Sequence, residues 1–152
     1  MTGGGGVSTP GDRFRRPAIV IAFVLMVMSL LACGGGGGTA NVKEVQRAST
    51  GAFDVVLLAG GDALQSGKDT AVLEFRSRAS QALVDVGAVN VAANMPMAGM
   101  PPMFGTLELQ PSGTPGRYLV NSNFGMAGTW QINVEWEGQT GKGSTTLRGA
   151  VR

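Results

Sequence analysis

Three observations predict an all-β domain, an antiparallel immunoglobulin-like β-sandwich of about seven strands. Beyond residue 50 the hydrophobic pattern repeats every two residues, as in strands with one buried face. Turns rich in glycine and proline separate the apolar segments at short intervals. No stretch of that region carries the apolar spacing of a long helix. A small or up-and-down barrel is the alternative arrangement of the same strands.

The first strand is expected over residues 52–59, Ala-Phe-Asp-Val-Val-Leu-Leu-Ala, a run rich in β-formers. Residues 60–68 supply a turn. In 70–76, Ala71, Leu73 and Phe75 share one face and Glu74 and Arg76 the other, the pattern of a strand buried on one side. Residues 77–85 fit either one helical turn or a loop with a short edge strand. Val89, Val91 and Ala93 then alternate with Asn90 and Asn94, and Met95 takes the next inward position. A short strand at 106–109, a turn at 111–116 and a strand at 117–124 follow. The clearest strand is 130–137, where Trp130, Ile132, Val134 and Trp136 alternate with polar residues. A turn at 138–143 leads to a last strand near 144–151. Residues 41–50 are polar and without clear period, which makes them a lead-in.

The first part of the 152 residues has another character. Arg13, Arg15 and Arg16 precede an apolar run over residues 18–32, followed by Cys33 and five glycines. A basic flank, a short apolar core and a small residue at its end are the parts of a secretory signal. The run is shorter than the roughly 20 residues that span a bilayer. Its end, Leu30-Leu31-Ala32-Cys33, resembles the bacterial lipobox, which implies that Cys33 is acylated and becomes the first residue of the mature chain. Cys33 is the only cysteine, so no disulfide within the chain competes for it. The expected organisation is a lipoprotein signal peptide at 1–32, the lipidated cysteine with a flexible tether at 33–50, and the folded domain at 51–152. That places the domain in the cell envelope, anchored to a membrane and facing the periplasm or the exterior.

Past Cys33 the chain carries nine basic and nine acidic residues, with no basic patch suited to nucleic acid. There is no histidine, which removes the commonest general base and the commonest metal ligand. Glu135 and Glu137 lie at strand spacing and read as a solvated face. Gly141-Lys142-Gly143-Ser144-Thr145 lacks the earlier glycine of a phosphate loop, and a glycine follows its lysine where Ser or Thr is required. The expectation is a protein that is not an enzyme.

The sharpest chemical feature is methionine. Met95, Met97, Met100 and Met103 lie within residues 94–104 among three prolines and a glycine, and Met126 lies downstream. Proline at this density excludes a regular helix and suggests that the thioethers project from a loop. Thioethers are soft ligands that suit Cu(I) and its analogue Ag(I), so these five residues are the candidate ligands, with Cu(I) as the implied cofactor or cargo. Methionine also fills gaps against aromatics such as Phe104, Phe124 and Trp130. An exposed set equally suits a metal-independent interaction module that docks on an envelope complex.

The order of motifs resembles the YtkA-like domain, related to the FixH-like proteins. The matching pieces are Met95-Pro96-Met97 with Gly99-Met100, then Pro115-Gly116-Arg117-Tyr118, then Met126-Ala127-Gly128-Thr129-Trp130, and the resemblance covers residues 52–137. It implies a small β-sandwich outside the cytoplasm, often a lipoprotein or fused to metal-efflux components, with a link to copper handling. Metal-efflux or other envelope proteins are the implied partners. Relatives often carry a histidine near the methionine loop, and this sequence has none, so a site here is all-thioether. The lipobox reading has a direct test: Cys33→Ser abolishes incorporation of a fatty-acid probe, and continued labelling refutes acylation at this residue.

Overall fold

The computed structural model describes residues 1–6 and 41–152. The expectations for the signal run and Cys33 lie outside the described residues. Residues Ala40–Arg152 form one compact unit, and the eight strands of the described residues lie in it. They are β1 (Lys43–Thr50), β2 (Phe53–Ala59), β3 (Gly67–Ser77), β4 (Ala88–Met97), β5 (Met100–Pro111), β6 (Arg117–Phe124), β7 (Gly128–Gly138) and β8 (Gly141–Val151). No helix occurs among the described residues.

All strand pairings are antiparallel, in the order β1-β2-β3-β6-β5-β4-β7-β8. The end strands β1 and β8 approach each other, so the sheet is a nearly closed barrel. This corrects the expected seven-stranded sandwich in two respects: there is one more strand, and β5 joins the halves into one sheet. β5 pairs with β4 up to Gly105 and with β6 from Thr106 onward.

The extra strand is β1, formed from residues read in the sequence as the end of the tether. A bulge between Glu44 and Gln46 shifts its register and hides its alternation. It is fixed to β2 by Asp54, whose carboxylate accepts from Ser49 Oγ and from Arg47 Nη1, each at 2.7 Å. β3 also departs from expectation, because both of its faces are buried from Ala71 to Phe75. Glu74 is fully buried, and its two oxygens accept from Arg76 Nε and Arg117 Nε, each at 2.6 Å. Pairing is what permits a carboxylate there. Beside it, Val56, Leu58 and Val72 form a small apolar cluster separate from the main core.

The two connections that are not hairpins close the two ends of the barrel. Residues 78–87 cross from β3 to β4 as an irregular segment, not a helical turn, and insert Val86 into the core with Val84 packed against it. At that end Phe75 and Trp136 meet edge to face at 5.8 Å, with Phe53 5.3 Å from Trp136. Residues 125–127 cross from β6 to β7 at the other end, where Gly125 and Gly128 meet Met103 and Met95 of the β4–β5 hairpin. Between the ends the core is aliphatic and solid. A void beside Leu57, Leu73 and Ile132 measures about 10 Å³. That leaves no room for an interior ligand.

The Asp54 contacts predict an acid response. The Ser49 hydroxyl and then the Arg47 guanidinium hold its carboxyl below the ordinary carboxylate range. A group whose folded pKa is depressed adds stability above its unfolded pKa, about 3.9, and loses it as pH falls through the folded value. In urea titrations, Asp54→Asn is therefore expected to be less stable than the parent at pH 7 and to show a shallower loss below about pH 4.

Candidate functional site

The methionine segment is not a loop but the tip of a hairpin. β4 continues to Met97, β5 starts at Met100, and Ala98-Gly99 make a two-residue turn with Gly99 at φ 74°. Three prolines are tolerated because the tip has no outer neighbours. β4 pairs with β7 only as far as Asn94, and β5 pairs with β6 only from Thr106. A proline on a free edge leaves no ladder bond unmade.

A bulge then sets the geometry. Met95 pairs with Met103 and Met97 with Met100, so two residues of β4 span three of β5. Without the extra residue, Met100 and Met103 would face opposite sides. With it, all four share the inner face of the hairpin, since cross-strand partners point the same way. They run from deep to shallow. Met95 is buried, Met97 and Met103 are half-buried against the core, and Met100 at the tip is 62 % exposed.

The floor beneath them is aromatic. Phe124 and Trp130 pack with centroids 4.9 Å apart and planes at 55°. A Cβ on Gly105 would lie 3.1 Å from the Phe124 ring and 3.2 Å from the Trp130 ring, so the β5 backbone rests on this pair. Trp130 Nε1 donates to the Met126 carbonyl at 3.1 Å and fixes the crossing loop. On either side of Met126, Gly125 and Gly128 meet the hairpin. A Cβ on Gly128, at φ 151°, would sit 2.7 Å from Met95 Sδ, and one on Gly125 would sit 3.6 Å from Met103 Sδ. Met126 itself is 43 % exposed at the same end.

The structure therefore brings Met95, Met97, Met100, Met103 and Met126 to one end of the barrel. Their roles divide by depth: Met95 is packing, whereas Met100 and Met126 contribute little to it. Phe104 overturns its expected place among the packing aromatics. It lies next to Met103 on a strand, so it faces the other way and is 77 % exposed. Strand parity alone carried that signal. Among the described residues no three His, Cys, Asp or Glu side chains come together as a metal site.

Fold and site define a small all-β barrel with one methionine-lined end. The YtkA-like family matches residues 50–135, more than half of the chain, and the protein belongs to that family. Searches of curated proteins and of solved structures find no match.

The division by depth is measurable in urea. Met95→Ala is expected to cost about 2–5 kcal/mol, as for other buried truncations. Met126→Ala and Met100→Ala are expected to stay within about 0.5 kcal/mol of the parent. Equal losses at all three positions would make the whole set core.

Proposed function

We propose that the protein is a lipid-anchored, non-catalytic envelope protein that binds or delivers Cu(I), or Ag(I) in its place, through the thioethers at the hairpin end. The observation that carries this reading is the bulge, which brings Met100 to the face that Met95, Met97 and Met103 share. Two or three sulfur atoms on an uncharged rim suit a soft monovalent cation and offer little to Ca²⁺, Mg²⁺ or Zn²⁺. Met97, Met100, Met103 and Met126 retain exposed surface and would hold the ion, while Met95 supports them from the core. Thioethers lose no proton on binding, so the chemistry differs from thiolate or imidazole sites.

Titration of residues 40–152 with Cu(I) against a chromophoric chelator tests the proposal. One tightly held Cu(I) per chain is expected, with affinity flat between about pH 5 and pH 8 because no ligand titrates there. The combined Met97→Leu, Met100→Leu, Met126→Leu variant is expected to bind at least about tenfold more weakly, about 1.4 kcal/mol. Unchanged affinity in that variant, or none in the parent, removes the metal reading and leaves a metal-independent contact module.

A further inference from the structure

We propose that the methionine end of the barrel is also a bilayer-docking surface, with the hairpin tip seated among lipid headgroups of the membrane to which the chain is attached. The proposal rests on the lipid-anchored part of the reading above and stands apart from its soft-cation part, since it draws on Phe104, the uncharged tip and the point at which the chain enters the domain.

Strand direction places that entry. Lys43 opens β1 opposite Ala59, the last residue of β2, which in turn lies opposite Ala71, the fifth residue of β3. From there β1 runs away from the start of β3. β3 begins opposite the last residues of β6, and β6 runs into the crossing loop that meets the hairpin at Met95 and Met103. The chain therefore enters from the side of the methionine end and β1 runs away from it. In the sequence only ten residues, 33–42, separate the apolar run from Lys43. Fully extended they reach about 35 Å. Whether the membrane is held by the apolar run or by a lipid on Cys33, Lys43 is kept within that distance of it.

The surface presented at this end is apolar and uncharged. No charged residue occurs from 86 to 107 or from 118 to 134, which covers the hairpin, the crossing loop and their flanks. Phe104, Met100 and Met126 are the large apolar side chains exposed in the folded domain, and all three are here. Pro96, Pro101 and Pro102 are exposed beside them. Clustered apolar exposure of this kind marks an interaction surface, and an aromatic ring on a short apolar projection suits the headgroup boundary. Charge at the margin agrees. Lys68 stands opposite Asn123 and Arg148 opposite Gln131; of the carboxylates nearby, Asp69 is turned onto the backbone N–H groups of Gln65 and Thr70, and Glu108 lies further from the tip, opposite Asn121. Cations flanking an apolar tip favour an anionic lipid surface. Attachment also raises the local concentration of bilayer, so a weak contact suffices.

The test uses residues 40–152, a compact unit of their own, carrying an N-terminal hexahistidine. The protein is tethered in copper-free buffer to vesicles of phosphatidylcholine and phosphatidylglycerol in equal parts with a trace of nickel-chelating lipid. An environment-sensitive fluorophore is attached at Ala98→Cys, in the hairpin turn, or at Gln139→Cys, in the β7–β8 turn at the opposite end. Docking predicts blue-shifted, severalfold brighter emission from the first probe on tethering and water-like emission from the second. Adding Phe104→Asp and Met100→Asp, both at exposed positions, returns the first probe to its value in water while circular dichroism stays native. An unshifted tip probe, as expected if this end instead meets a protein, overturns the proposal. So does an equal shift at both ends, or a shift that survives the two aspartates.

Discussion

The methionine end depends on one constraint, the change of partner that β5 makes at Gly105. Before it the strand belongs to the hairpin with β4, and after it to the ladder with β6. The change is possible because the backbone there lies directly on the Phe124 and Trp130 rings, where any side chain would be crowded. An aromatic pair of this kind contributes about 0.5–1.5 kcal/mol beyond its buried area. Here it also fixes the direction in which the hairpin leaves the barrel. The crossing loop is held to the same pair by the Trp130 bond to Met126, so both halves of the thioether set share one support.

Much of the fold was legible as parity. Trp130, Ile132, Val134 and Trp136 face the core as their spacing requires, and so do Ala71, Leu73 and Phe75. Parity failed where an irregularity intervened. β1 conceals its period because a bulge at Val45 resets the alternation, and because the Arg47 and Ser49 side chains serve Asp54, seven and five residues away. Burial of Glu74 was not legible, since one of its two arginines comes from β6, 43 residues further along. Whether the strands form a sandwich or a nearly closed barrel is set by how β5 divides its pairing, which no local pattern encodes.

The candidate site shows the same split. Met95 and Met97 sit two apart on a strand, and their common face follows from the sequence. The side on which Met100 lies depends on the register shift opposite Met95 and Met97, and the prolines that made the segment look like a loop lie in and around that shift. Proximity of Met126 comes from the path of the β6–β7 connection, a matter of topology. The gradient from buried Met95 to exposed Met100 is a property of the projecting hairpin as a whole.

The solid interior bears on traffic. With a void of only about 10 Å³ at its centre, the barrel has no lumen to fill or empty, and it needs no gate. Under the proposed soft-cation reading the ion sits on the rim, in reach of an incoming partner before the outgoing one has left. Exchange there can proceed by stepwise replacement of one donor atom by another, at the pace of side-chain rotation. Under that reading the fold suits handover more than storage.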